Sequence, residues 1–566
     1  MKEKYGCFLI LLGGTGAKCG EILIHMCANG YLECDRLDIL YIESDSNNGN
    51  GKQLENVVNL YKKCKEQYLI KESSISFFFK TEISFDKKSP VEGYERFREL
   101  ASPSGQDIVG INSAEMLMKA LYSEEEQNMK ISDGFFAHPN VGSAFFAANM
   151  DKIMDKYCKL MQSDKGELKH IKVFMIGSIF GGTGASSLPT ISKYLKKKLV
   201  GESDNKNINE QVKIGGCMVL PYFSFSRENV RKKIISGEDV NIEADKFVTK
   251  TRAALKYFKK VDEKQDSNVF DCLYLLGHDQ YDVRGNYQTA GGEQRNMPHI
   301  TEFYSAMSAV DFFEGSMEQY GRFFAVVPSE KISWPDIHKY PSGYFNFFVM
   351  MRFAIVMKSL ILEELFDHTK EKKLKEKARD IPWFYDFLNG RDRSSDMDED
   401  KLYGYFDAIS KYCDEYIRWF AELNISNLEK RNDLGSIEFE GDNGESDVME
   451  YLQFFDKKLI IKQHYNNCIA QGDVKIGDSA VYEDTYKKNI KYIRDHFQEL
   501  ELVHGYSDKK TEKIKIEKIW SRICDLGFSS TIQVDNILYN ISTSPDKSMK
   551  AGVRNLVNAV FIACTI

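Results

Sequence analysis

The pentapeptide GGTGA occurs twice in this chain, at Gly13 to Ala17 and at Gly181 to Ala185. Each copy follows an apolar run (CFLILL in one case, VFMIGSIF in the other) and opens a helical pattern (EILIHMCANGYL, SLPTISKYLKKKL). Glycines without a Cβ let a strand end turn sharply and bring backbone N–H groups against phosphate oxygens, with the positive end of a helix dipole behind them. One such loop is a weak signal. Two, in strand–loop–helix units of one domain, imply a parallel sheet whose strand ends present both loops to a single polyanion.

The surrounding pattern agrees. KYGCFLILL, DILYIES, KVFMIGSIF, KIGGCMVLPYF and VFDCLYLLGHD are short apolar runs separated by helix-length segments, so the fold class is α/β, a doubly wound parallel sheet of five strands reaching about residue 280. Residues 51–130 interrupt the alternation with charged, Ser-rich sequence and read as an insertion on the rim of the sheet. After about residue 315, FFVMMRFAIVMKSLILEELF, EDKLYGYFDAISKYCDEYIRWFAEL, TYKKNIKYIRDHFQEL and KIKIEKIWSRICDLG carry helical periodicity, while GSIEFEGDNGESD reads as an acidic surface loop. The expected division is a nucleotide-binding domain at 1–330 and a mainly helical C-terminal region at 331–566.

At 566 residues the chain exceeds one hydrophobic core. A formal net charge of −8 argues against nucleic-acid binding through bulk charge, without excluding a local basic patch. Twelve scattered cysteines with no CxxC pair argue against structural zinc and for buried thiols in a reducing cytoplasm. The first apolar run leads straight into the glycine loop, so no signal peptide is read, and FNFFVMMRFAIVM, interrupted by Arg352, is too short for a membrane span.

No GxxxxGK[ST] loop is present. The first loop alone fits a Rossmann variant, with Gly14, Gly16 and Gly20 spaced as GxGxxxG and Glu43 at the end of the next strand. That reading would suit an oxidoreductase, but it leaves the second GGTGA unexplained. The order of motifs resembles the tubulin/FtsZ superfamily instead. LLGGTGAKCGE is similar to its first phosphate loop, DILYIESDSN to its second, AHPNVGSAFFAAN (Ala137 to Asn149) to its third, and IFGGTGASSLPTIS to its Gly-Gly-Gly-Thr-Gly-Thr-Gly signature; KIGGCMVLPYFSFS and VFDCLYLLGHDQ resemble the strands that follow. The chain departs from the family at Phe180, Ala185 and Ser186 of the signature loop, in lacking a clear ribose-contacting Glu (Ser226 and Glu228 stand nearby, with Arg231 behind), and in its long helical C-terminal region.

The resemblance implies GTP with Mg²⁺ as ligand. It places Gly13, Gly14, Thr15, Gly16, Gly181, Gly182, Thr183, Gly184, Ala185 and Ser186 around the phosphates, joined by Ala137, Asn140 and Gly142 of the third segment. Lys18 is the one cation inside either loop, and a solvated helix face is its alternative. Asp45 would hold Mg²⁺ through water, unless it serves an Asx-turn or a helix cap. His138 is a further phosphate donor or a satisfied loop histidine. The helix expected from Pro298, with Asn296 as its cap, puts Thr301 and Glu302 at the base, where a carboxylate accepts from the N1–H and N2–H₂ of guanine. TEF is also similar to the α-tubulin segment bearing the hydrolytic Glu, which would instead make Glu302 catalytic in a neighbouring subunit.

Two functions follow from the resemblance. One is a cytoplasmic GTPase that self-assembles head to tail and shares its active site, with Asp336 as the carboxylate reaching the next subunit's nucleotide. The other is a nucleotide-gated interaction module of a bacterial plasmid, phage or defence system, in which the C-terminal helices bind a protein partner and GTP is not hydrolysed.

Overall fold

The run from Cys7 to Leu12 contains no charged side chain, and Phe8 to Leu12 are completely buried. Such a segment fits a strand covered on both faces. In a computed structural model, which describes residues 5–32, 34–69, 78–101, 113–135, 138–164, 170–200, 212–225, 247–263, 269–278, 282–284, 298–315, 322–327, 343–366, 399–428, 430–431, 437–438 and 548–564, it forms β1 (Tyr5–Leu12). The later strands up to residue 330 are β2 (Arg36–Ile42), β3 (Glu82–Lys88), β4 (His170–Ser178), β5 (Val212–Val219), β6 (Phe223–Phe225), β7 (Cys272–His278), β8 (Asp282–Arg284) and β9 (Arg322–Val327). Seven of them make one sheet in the order β3-β2-β1-β4-β5-β7-β9, every neighbouring pair parallel, while β6 and β8 pair separately.

Helices cover both faces. They are α1 (Gly13–Ala28), α2 (Gly49–Tyr68), α3 (Ser113–Leu121), α4 (Glu124–Asn128), α5 (Pro139–Asp164), α6 (Thr183–Leu195), α7 (Phe247–Glu263), α8 (Ile300–Glu314), α9 (Gly343–Val356), α10 (Glu399–Leu428) and α11 (Met549–Cys564). The two-residue period of β1 divides the core. Cys7, Leu9 and Leu11 pack with α1, α2 and α8, whereas Phe8, Ile10 and Leu12 pack with α5 and α6. The doubly wound α/β class read from the sequence is the class observed.

The structure corrects the reading of residues 51–130 as an insertion. Their first part is the body of α2, and Glu82–Lys88 is the outermost strand of the sheet, in register with β2 from Arg36↔Glu82 to Ile42↔Lys88. EISFDKK hid from pattern reading because an edge strand is dressed with charges against further pairing. Only Ile83 of β3 is buried. β9 likewise lies beyond the five expected strands.

The described C-terminal helices α9, α10 and α11 belong to the same apolar cluster as α1, α2 and α8. Phe78 stacks on Phe561 with ring centres 4.2 Å apart, and Phe303 of α8 lies 5.4 Å from Phe347 of α9. His25 of α1 sits among Tyr412, Tyr416 and Trp419 of α10, its Nδ1 2.9 Å from the Tyr412 hydroxyl, and burial lowers its pKa to about 3, so it stays neutral. A polar network closes the edge of this contact. Glu21 of α1 accepts from Arg418 and from Gln53 (3.1 Å), and Glu415 accepts from Gln53 (2.7 Å), Asn56 (2.9 Å) and Arg418 (2.9 Å). The boundary expected at residue 330 therefore does not separate two cores. TYKKNIKYIRDHFQEL, KIKIEKIWSRICDLG and most of GSIEFEGDNGESD lie outside the described residues.

Lys172 stands out in β4 as a buried cation. Its Nζ donates to the carbonyls of Phe313 (2.8 Å) and Gly315 (2.7 Å), so it neutralises the negative end of α8. Among the described residues, no helix is long and apolar enough to cross a membrane.

Candidate functional site

Both GGTGA segments are the turns from a strand into a helix, β1 to α1 and β4 to α6, on adjacent strands paired through Leu12↔Gly177. Gly13 has φ +73°, which side chains rarely adopt, and a Cβ there would lie 3.4 Å from Thr183 Cβ, so the two loops touch. At Gly184 a Cβ would stand 2.3 Å from the carbonyl oxygen of Ser178, and only glycine lets α6 start so close to the end of β4. The caps of α1 and α6 are Leu12 and Gly182, neither with a side-chain hydrogen bond, which leaves first-turn N–H groups at the same edge of the sheet for an anion.

Between the loops lies Glu43, just past β2 and 4% exposed. Its Oε1 accepts from the N–H of Ser44 (2.8 Å), the Ser44 hydroxyl (3.2 Å), the N–H of Asp45 (3.3 Å) and the Thr183 hydroxyl (3.2 Å). Its Oε2 accepts none among the described residues and faces Gly13, 3.9 Å from where a Cβ would stand. Burial raises the carboxyl pKa to about 7, against the lowering effect of the backbone donors. Asp45 takes the other role weighed for it: its Oδ1 accepts from the N–H of Asn47 (2.9 Å), an Asx-turn, and Asn48 then caps α2 through the N–H of Gly51 (3.1 Å). Asn48 and Asn50 also line the first loop, with amide nitrogens 3.3 and 3.4 Å from the Cβ position of Gly14.

Sequence reasoning noticed Glu43 only under the Rossmann alternative and missed the two asparagines. Its position at the end of DILYI was the available signal, because a carboxylate directly after a doubly buried strand lands at the loop edge.

Lys18 and Glu302 are placed otherwise than expected. Lys18 Nζ pairs with Glu302 Oε1, which also accepts from the Tyr222 hydroxyl, while Oε2 accepts from the N–H of His299 (2.8 Å); Lys18 is 7% exposed and Glu302 fully buried. Glu302 is thus the N3 member of a capping box, and the cap of α8 is His299, whose Nδ1 accepts from the N–H of Thr301 (3.1 Å), rather than Asn296, which lies outside the described residues. With both carboxylate oxygens engaged inside the core, Glu302 acts here as helix cap and counter-ion instead of a base reader. The Tyr222 and His299 rings lie against each other, with centres 5.0 Å apart.

In the third segment, Gly142 packs on the second GGTGA helix, where a Cβ would meet Ser186 Oγ at 2.5 Å. Asn140 is exposed and donates to Glu126 (2.6 Å), which also lies 3.6 Å from His138. Ser186 turns its hydroxyl back to the carbonyls of Gly182 (2.8 Å) and Thr183 (2.9 Å), and Ala185 is buried. Thr15, Gly14, Gly181 and Gly182 stay partly open, and Gly16 packs against the backbone of Leu11 and Ile176. Ala137, Asp336, Ser226, Glu228 and Arg231 lie outside the described residues.

Comparison with known proteins bears on this arrangement. The model of a family described as tubulin like matches residues 8–288, a span that contains both glycine loops, Glu43 and the third segment. No curated protein matches the chain. Among solved structures, CetZ from Methanosaeta thermophila aligns at 12% identity over 54% of this chain and 51% of its own, with a TM-score of 0.22. CetZ2 from Haloferax volcanii, described as a GTPγS-bound protofilament, aligns at 13% identity over 54% of this chain and 58% of its own, with a TM-score of 0.24. The chain thus spans about half the length of these structures. Through residues 8–288, with their two glycine loops on adjacent parallel strands, the chain belongs to the tubulin/FtsZ superfamily.

Proposed function

We propose that the cleft between the two GGTGA loops binds GTP with Mg²⁺. The observation that carries this reading is the meeting of Gly13 and Thr183 above the Oε2 of Glu43, which combines two uncapped helix N-termini with a buried carboxylate. A triphosphate needs converging N–H donors, and the carboxylate needs a cation before it ionises easily in so dry a place. Glu43 fits Mg²⁺ on that ground, in place of Asp45, whose Oδ1 serves the Asx-turn. Bound there, the ion would neutralise phosphate charge. Thr15 and Asn48 supply further polar contacts at the mouth, and family membership supports guanine over other bases.

Self-association and turnover are part of the same proposal. With Glu43 given over to the cation, a second copy bringing Asp336 over the terminal phosphate would supply the acid or base that turnover needs. The alternative is a gated interaction module without turnover. It draws support from the shared core, since α1 and α2 start at the loops and bear directly on α10 of the C-terminal region.

Calorimetry with GTP, ATP and NAD, with and without Mg²⁺, tests the binding reading. Wild type is expected to bind GTP saturably, and Gly14→Val and Gly182→Val to lose that binding while keeping their helical circular dichroism. Binding of NAD but no nucleoside triphosphate refutes it. Turnover per molecule that climbs with protein concentration and collapses in Asp336→Ala favours the shared site; a monomeric, concentration-independent species favours the module.

A further inference from the structure

The far end of α6 and the outer face of α7 form a basic surface unconnected with the cleft. α6 and the turn Lys196–Val200 that extends it carry four lysines and no acid. On α7, Arg252, Lys256 and Lys260 recur every four residues, which puts them on one face, and all three are exposed. Among the described residues none of these three pairs with a carboxylate. Lys193 Nζ lies 6.0 Å from the centre of the Tyr257 ring, so the two helices present one continuous surface. Two acids at its border are engaged: Asp271 lies 3.8 Å from Lys196, and Asp151 lies 3.4 Å from Lys198 and accepts from the Tyr194 hydroxyl.

In a chain of net charge −8, such a concentration of cations is a local feature that bulk composition conceals. It calls for a polyanion. Successive cations of α7 stand about 6 Å apart along the helix axis, and a flexible phosphodiester chain can follow such a row. Tyr257, 52% exposed between the row on α7 and Lys193 of α6, decides between polyanions. A ring flanked by cations is a platform for an unpaired base. A lipid surface would call for several inserted apolar side chains, and among the described residues the other large exposed hydrophobics, Met116, Leu117, Leu121 and Tyr403, belong to α3 and α10.

We infer that the α6–α7 face, with Arg252, Lys256 and Lys260 as phosphate contacts and Tyr257 as stacking platform, binds single-stranded nucleic acid. The surface lies about 15–20 Å along α6 from the glycine loop, so this inference stands independently of the nucleotide reading.

The test measures fluorescence anisotropy of labelled mixed-sequence 20-nucleotide DNA and RNA single strands with the full chain over a range of salt. Saturable binding is expected, with log K against log salt falling at a slope of about −2 to −4, as for three to five phosphates. Lys256→Glu/Lys260→Glu, and separately Arg252→Glu, should each weaken binding by roughly tenfold or more without lowering the melting temperature, since these side chains are exposed. Tyr257→Ala should weaken single-strand binding by about 5- to 50-fold and leave heparin, a polyanion without bases, unaffected. Absence of saturation up to roughly 100 µM, the weak end of non-specific binding, overturns the inference. So does equal binding of polyglutamate or of anionic vesicles that is indifferent to Tyr257, which would make the face a docking surface for an acidic protein or a membrane.

Discussion

Glu43→Gln separates the energetic cost of the site from its use. The folded carboxyl titrates near 7 against an ordinary value of 4.5, because burial outweighs its four donors. Each pKa unit corresponds to about 1.4 kcal/mol, so holding Glu43 ionised in the empty fold costs about 3 kcal/mol. The folded state binds the proton more tightly than the unfolded chain. Its contribution to stability is therefore complete below about pH 4.5 and is lost as pH rises through 7. Glutamine copies the protonated form at every pH. Urea denaturation of the nucleotide-free protein should show Glu43→Gln near wild type at about pH 5 and more stable by about 3 kcal/mol at about pH 8.5. Calorimetry of the same variant with GTP should show loss of the Mg²⁺-dependent part of the affinity. A substitution equally neutral at both pH values would refute the argument that Glu43 is an ionisable group held at a loss for a cation.

Two other substitutions probe buried charge. Glu302→Gln strands the Lys18 ammonium in the core and should cost about 3–5 kcal/mol in denaturation, most of it recovered in Lys18→Met/Glu302→Leu; an intact midpoint combined with weaker discrimination of GTP from ATP would return Glu302 to the base. Lys172→Met removes two charge-assisted bonds from the end of α8 and should destabilise by about 3 kcal/mol, measured as a lower urea midpoint.

What the sequence made legible was whatever rests on local pattern. Doubly buried strands show as unbroken apolar runs, and the glycine loops show because a Cβ at Gly184 or a left-handed turn at Gly13 excludes other residues. β3 was illegible because its edge position replaces the apolar signal with Lys87, Lys88 and Asp86. The cap of α8 was missed because a histidine seldom announces itself as one. Lys18 and Glu302 are 284 residues apart, and their pairing could not be read from either segment alone. Motif order points to Asp45 as the strand-end carboxylate, but contact with Thr183 and Gly13 of the two loops, which only the fold supplies, distinguishes Glu43 from it. The basic face was averaged away by the −8 total.

The shared core also sets a clock. The Tyr412 that lies against His25 is encoded 387 residues after it, and Asn558, which donates to the Tyr68 carbonyl at 2.8 Å, comes 490 residues after its partner. At roughly 5–20 residues per second of synthesis, α1 leaves the ribosome about 20–80 seconds before α10 exists to cover it. During that interval the surface that Tyr412 will cover, which includes His25 and Phe79, is wet and adhesive. Newborn chains of this protein should depend on a holding chaperone for that window, and slowing translation beyond residue 330 should lengthen the dependence and raise the aggregated fraction.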